Sequence, residues 1–277
     1  MASDADASAV ETDVGVVIHE GSAHSRKVLY GNILWDGALS LSMFCTWAEQ
    51  QAVIPPFHGK LVLELGAGTG VVGLTAGKLG ASVYITDFEP ELVTLMEQNI
   101  AANALQGKVQ AKLLDWRDPS TYLDAQPFDV IVAADVLYQG DGSDLAATVA
   151  AHIPPGSSTV AYVANHHNPQ KCKATLGFLR SAVSMGLTVQ RLQDDRGRAL
   201  GSLPDECSTD SKDRRRMDAA ALFANCSWAS LTPPATAEQG WPEVQWANMA
   251  SSSQNPLLCI QIFRLSRSAA ACTPSRL

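Results

Sequence analysis

The densest run of chemically suggestive residues is Leu63-Glu64-Leu65-Gly66-Ala67-Gly68-Thr69-Gly70, an apolar stretch that breaks into glycine and resumes as the apolar segment Val71–Leu79. Glycine has no Cβ, so it reaches positive φ in a turn and lets a ligand come close to the backbone. A helix that starts right after such a turn presents unpaired N–H groups. Gly68-Thr-Gly70-Val-Val-Gly73 is also a literal G-x-G-x-x-G, so a dinucleotide-binding turn competes as a reading. Two flanking acids separate the possibilities. Glu64, two residues before the first glycine, would repel a pyrophosphate but attract an ammonium. Asp87, at the end of the next apolar run, can accept from both hydroxyls of a ribose. An adenosine that carries an amino acid in place of a diphosphate satisfies both acids, and S-adenosylmethionine is that molecule. A nicotinamide dinucleotide and a tight turn with no ligand remain the alternatives.

These residues need a frame, and apolar periodicity supplies it. Strands are predicted at Lys60–Leu65, Ala81–Thr86, Lys108–Leu114, Phe128–Ala134, Ser158–Ala164, Leu187–Leu192 and Leu257–Leu265. Helices are predicted at Trp35–Glu49, Val71–Leu79, Pro90–Ala102, Asp144–Ile153 and Lys171–Met185, with Pro55-Pro56 closing off the first. Strands alternating with helices of about a dozen residues mean an α/β fold, a doubly wound and mostly parallel sheet covered on both faces. Val14–Ile18 and Lys27–Tyr30 read as a hairpin ahead of it. With 277 residues the chain has room for one to two domains of about 150. The division expected is a disordered lead-in over 1–13, one domain over 14–265 with an N-terminal element at 14–56, and a flexible tail over 266–277. Residues 193–256 form a long polar insertion with a short helix at Asp218–Asn225; its Arg214-Arg215-Arg216 reads as solvated loop.

Hydrophobic residues at 46% and charged residues at 17% fit a globular chain and exclude disorder or coiled coil as the whole answer. The net charge of −8 argues against a partner rich in phosphate, so no nucleic acid is expected. No apolar run approaches the ~18 residues that span a bilayer, and no membrane association is expected. The first twenty residues hold five acids and no base, unlike a signal or transit peptide. Cys45, Cys172, Cys207, Cys226, Cys259 and Cys272 lie far apart, which argues for free thiols in a reducing compartment and against a zinc or disulfide framework. His166-His167 lacks surrounding carboxylates and reads as a loop after a strand, so no metal is expected.

Trp35-Asp36, the Leu63–Gly70 turn, Thr86-Asp87, Asn99, Leu114-Asp115-Trp116 and Phe128-Asp129-Val-Ile-Val-Ala-Ala-Asp135-Val-Leu-Tyr138 follow one another in order over about residues 30–140. In this the chain resembles the seven-β-strand protein-lysine methyltransferases of the methyltransferase-like 21 group, whose mark is the Asp-x-x-Tyr at the end of the fourth strand. The resemblance implies a seven-stranded sheet of order 3-2-1-4-5-7-6 with the seventh strand antiparallel. It implies that Trp35 closes over the cofactor, that Gly66, Ala67 and Gly68 contact its methionine part, that Asp87 holds the ribose, and that Trp116 packs on the adenine. Ala134 would line the pocket. Asp115 could bond the adenine or cap a turn, and the turn is the reading preferred. Asp135 would orient an incoming lysine amine and Tyr138 would wall its slot, at the carboxyl end of a central strand where α/β sheets bind ligands.

The function implied is lysine methylation of a non-histone protein, with a chaperone or translation factor as the family-typical target. Methylation of protein arginine or a small molecule stays open, as does a non-catalytic module that binds S-adenosylmethionine. A monomer in the cytoplasm is the expectation. The final Ser275-Arg276-Leu277 resembles a peroxisomal address, which makes the peroxisome the alternative.

Overall fold

Each apolar run folds with its sequence neighbours into a strand–helix repeat. The computed structural model describes residues 9–12, 14–21, 30–123, 127–166, 172–193, 223, 225–231 and 260–267. In chain order the elements are β1 (Ala9–Glu11), β2 (Val17–His19), α1 (Asp36–Gln50), β3 (Leu61–Leu65), α2 (Val71–Lys78), β4 (Ser82–Asp87), α3 (Pro90–Ala102), β5 (Val109–Leu113) and β6 (Val130–Ala134). They continue as α4 (Ser143–Ala151), β7 (Val160–His166), α5 (Cys172–Ser184), β8 (Thr188–Gln193), β9 (Ser227–Ser230) and β10 (Ile260–Ser266).

The main sheet has the order β5-β4-β3-β6-β7-β10-β8-β9. Its first five strands pair parallel, with Leu63 of β3 set between Tyr84 of β4 and Ile131 of β6. β10 runs antiparallel between β7 and β8. Alternate side chains of a strand point to opposite faces. Val62 and Val132 therefore join Phe44, Leu74 and Met96 on the face covered by α1, α2 and α3. Leu63, Leu65, Ile131 and Ala133 join Leu145, Val149, Phe178 and Leu179 under α4 and α5. The sheet is doubly wound, as the alternation requires.

Three expectations need correction. Among the described residues the sheet has eight strands, because β9, inside the polar insertion, pairs antiparallel with the edge of β8. That insertion also feeds the core: Phe223 lies 5.4 Å and Trp228 5.8 Å from the Phe44 ring of α1, both edge-on. Its apolar residues are too widely spaced to register as an element in sequence, yet they cover the aromatic face of α1. The N-terminal hairpin pairs β1 with β2, so an arm comes from the stretch expected to be disordered. Lys27–Leu29, the expected second arm, lies outside the described residues, as do Arg214–Arg216, most of Asp218–Asn225, His167 and Ser275–Leu277.

Candidate active site

The carboxyl ends of β3, β4 and β6 meet at one edge of the sheet. Between β3 and α2 the chain turns through Gly66, Gly68 and Gly70, at φ of 66°, 54° and 83°. L-residues with side chains rarely adopt such angles. The space left by the missing side chains is filled by the protein's own chain. A Cβ on Gly66 would stand 2.7 Å from Val136 and 2.9 Å from the Trp116 ring. A Cβ on Gly68 would collide with the carbonyl oxygen of Gly31. Residues 30–32, a single 3₁₀ turn, thus lie as a strap across the glycine turn.

The two flanking acids take different positions. Glu64 is 2% exposed, and its Oε2 accepts from the Gly73 N–H of α2 at 2.7 Å. Burial pushes its pKa up to about 8, against the lowering effect of the Gly73 and Val72 N–H groups. The carboxylate expected to draw a ligand ammonium is thus engaged by a helix N-terminus. Asp87 is also buried. Its Oδ2 accepts from Gly68 N–H at 3.0 Å, which ties the acid to the glycine turn. Its Oδ1 accepts from Phe88 N–H at 2.8 Å and from Glu89 N–H at 3.4 Å. Burial raises the Asp87 pKa and these bonds partly offset the rise. A carboxylate has about four acceptor positions, so the long Glu89 contact is the one that a stronger donor would displace.

Ala67 N–H donates to Thr86 O at 2.8 Å, which locks the turn to the end of β4. Trp116 follows β5, half-buried, with its ring against Gly66. Asp115 accepts from the Arg117 side chain at 2.7 and 2.9 Å and from its N–H at 2.9 Å, the turn reading preferred from sequence. The Arg117 guanidinium holds the Asp115 carboxyl below its ordinary range and sits 5.2 Å over the exposed Phe88 ring.

β6 ends at Ala134, half-buried opposite Ala164 of β7. The next residue, Asp135, is held at φ 54°, uncommon for a side chain of this kind. Its N–H donates to Ala164 O at 2.9 Å, so the excursion begins while the strand is still paired. Its Oδ2 accepts from the Gly37 N–H at 2.7 Å. The Trp35 side chain gives α1 no cap, and Asp135 supplies an acceptor from across the sheet. A Cβ on Gly37 would lie 2.5 Å from the Asp135 carboxyl carbon, so only glycine fits there without displacing the acid.

Tyr138 is 41% exposed, and its ring lies 6.0 Å from that of Tyr30, itself 61% exposed. Burial raises the Tyr138 pKa, and Asp87, Tyr30 and Glu89 add to the rise, so the phenol stays neutral. Trp35 joins the same group, since its indole N–H donates to Tyr30 O at 2.8 Å. Of the residues predicted from sequence, Gly66, Ala67, Gly68, Asp87 and Trp116 lie around the glycine turn and Trp35, Asp135 and Tyr138 around the start of α1, while Glu64 is buried against Gly73 and Ala134 ends β6 next to Asp135. The strap joins the two groups. Sequence reasoning missed Tyr30, Gly31 and Gly37. Gly37, a helix breaker one residue after Trp35-Asp36 in a helical pattern, is the one a reader could have questioned. Among the described residues no group of His, Cys, Asp and Glu could hold a metal ion. A buried acid bonded to a glycine turn, with the half-buried Trp116 ring against the same turn, is a lining that fits the ribose and adenine of S-adenosylmethionine.

Residues 18–177 match the model of a family described as "Lysine methyltransferase". The chain is 34% identical over 131 residues to the protein N-lysine methyltransferase METTL21A of Danio rerio, covering 46% of this chain and 57% of that protein. It is 36% identical over 110 residues to the EEF1A lysine methyltransferase 3 of Xenopus tropicalis, covering 39% and 46%. The chain spans about half the length of the curated relatives it matches. Among solved structures, a TehB-like SAM-dependent methyltransferase from Corynebacterium glutamicum is 16% identical, with a TM-score of 0.48, covering 89% of this chain and 99% of that one.

Proposed function

The chain belongs to the lysine methyltransferase family, and from that premise we propose that it methylates a lysine side chain of a non-histone protein, with S-adenosylmethionine as cofactor. The observation that carries the proposal is the hydrogen bond between Asp87 and the Gly68 N–H, which joins ribose-binding acid and glycine turn into one cradle. When bound, S-adenosylmethionine supplies a methyl group on a positively charged sulfur. Asp87 would accept from the ribose hydroxyls, the Gly66–Gly68 backbone would hold the methionine part, and Trp116 would pack on the adenine.

The acceptor must arrive as a neutral amine, a small fraction at neutral pH for a lysine whose ordinary pKa is about 10.4. A nearby positive sulfur disfavours a second cation and assists deprotonation. Asp135, fixed by the Gly37 N–H, would accept a hydrogen bond from the neutral amine and so leave its lone pair free for the methyl group. Tyr138 and Tyr30, with ring centroids 6.0 Å apart, would wall the slot. The name of the Xenopus tropicalis relative specifies a translation factor, which supports a protein acceptor over a small molecule. The scattered cysteines support a reducing compartment, and we propose the cytoplasm as the site of the activity.

The test is to incubate the chain with S-adenosylmethionine labelled in its methyl group and a cell extract, with EEF1A as a separate acceptor. Label in a protein band, retained as methyl-lysine after hydrolysis, is the expected result. Label found only in small molecules would refute the proposal.

A further inference from the structure

Among the described residues the outer edge of β2 has no strand beside it, and two side-chain amides of α3 take that place. Asn103 Oδ1 accepts from Val17 N–H at 2.9 Å, and its Nδ2 donates to Val17 O at 2.6 Å. One helical turn earlier, Asn99 Oδ1 accepts from His19 N–H at 2.7 Å, and its Nδ2 donates to His19 O at 3.1 Å. Residues i and i+4 of a helix share a face, and alternate residues of a strand present N–H and C=O to the same side. The two amides therefore reproduce half a strand ladder and dock the hairpin on α3.

They differ in one respect. Asn103 Nδ2 makes its second bond to Asn99 O, within its own helix, at 2.8 Å. Asn99 Nδ2 makes its second bond at 2.9 Å to Thr69 O, in the middle of the glycine turn. Asn99 is wholly buried, and its bond to Thr69 O is buried with it. The hairpin leads on to the strap: Gly21 N–H donates to Asn32 O at 2.8 Å, and Glu20 Oε1 accepts from Leu34 N–H at 2.7 Å. Gly31 then lies over Gly68. The glycine turn is thus gripped from below by Asn99 and from above by a strap anchored through the same residue.

We propose that Asn99 is a positioning residue for the cofactor turn: its amide couples the docking of the N-terminal hairpin to the shape of the Gly66–Gly70 turn, and so sets cofactor affinity. This rests on the methyl-transfer reading, because the ligand of the turn is taken to be S-adenosylmethionine. Asn99 touches no reacting atom. Its influence passes through Thr69 O on one side and through His19, Gly21 and Asn32 on the other. Asn103 is the built-in control, since it holds the same hairpin with the same chemistry but does not reach the turn.

The test compares Asn99→Ala with Asn103→Ala by calorimetric binding of S-adenosylhomocysteine and by thermal melting. Both variants are expected to melt earlier. Asn99→Ala is expected to bind at least tenfold more weakly, and Asn103→Ala within threefold of the wild type. Should Asn99→Ala not fold, His19→Pro and Val17→Pro make the same comparison from the strand side. His19→Pro removes the N–H that orients the Asn99 amide and leaves α3 intact, so the tenfold loss is expected there and not in Val17→Pro. Normal affinity in Asn99→Ala or His19→Pro would overturn the inference, and so would equal losses within either pair. A wild-type chain that does not bind S-adenosylhomocysteine would instead overturn the methyl-transfer reading, and this inference with it.

Discussion

Glu64 and Asp135 make the same bond in two settings. Each carboxyl group accepts, at 2.7 Å, from a backbone N–H in the first turn of a helix: Gly73 of α2, nine residues on from Glu64, and Gly37 of α1, 98 residues from Asp135. In each case the donor is a glycine whose Cβ would run into the acid. The difference is access. Glu64 sits in the middle of a strand buried on both faces, sealed under the turn, and burial raises its pKa to about 8. Asp135 follows the end of its strand, at a positive φ, three residues before the exposed Tyr138. One geometry thus occurs in two settings: where water is excluded it secures a helix, and at the open edge it fixes the carboxylate that the proposed function assigns to the acceptor amine.

The sharpest way to break the comparison is Asp135→Asn. The amide oxygen can still accept from Gly37, so folding and cofactor affinity are expected to persist. Methyl transfer should fall by about two to four powers of ten, because the negative charge that orients the amine is lost. A lower melting temperature with normal turnover would make Asp135 a helix cap and no more. Gly37→Ala attacks the same contact from the other side. Alanine favours a helix, so stability is expected to hold, while the displaced carboxylate should cost about tenfold to a hundredfold in kcat/KM.

Asp87→Ala should weaken S-adenosylmethionine about tenfold or more, since ribose donors would lose a buried acceptor. Calorimetry checks this, and tight binding of NAD to the wild type would contradict the reading of the cradle. Tyr138→Phe removes only a hydroxyl and should cost less than about tenfold in turnover.

Glu64→Gln gives the smallest effect and the clearest contrast. The folded acid keeps its proton up to about pH 8, whereas its ordinary value is 4.5. Between those values the folded chain binds more protons than the unfolded one, so stability falls as pH rises through that window. The amide should remove this dependence and raise the melting temperature by a few degrees at pH 8, with little change at pH 4. A variant that melts no later at pH 8, yet binds S-adenosylmethionine far more weakly, would return Glu64 to the ammonium-binding role read from sequence.

Much of the frame was legible in sequence because β3 to β8 announce themselves locally. Each is a short apolar run bounded by turn residues, and the intervening helices carry their own periodicity. Glycine turn, Asp87 and Asp135 were legible for the same reason, since strand ends place them. The rest is non-local. Trp228 and Phe223 belong to the core only because α1 presents Phe44 to them, and no pattern within residues 193–256 records that. β1 is a short strand of Ala, Val and Glu whose one partner among the described residues is another three-residue strand. The Gly37–Asp135 bond joins residues 98 apart, and the strap over Gly68 is visible only once the chain is folded.

The central claim is that this edge of the sheet delivers a methyl group to a lysine amine. The most direct measurement follows methyl label from S-adenosylmethionine into EEF1A, or into the protein band labelled in a cell extract, for the wild type and Asp135→Asn side by side. Hydrolysis then identifies the modified residue. The account expects methyl-lysine from the wild type and almost none from Asp135→Asn, at matched cofactor affinity. Label recovered as methyl-arginine, or equal incorporation by the two proteins, would contradict it.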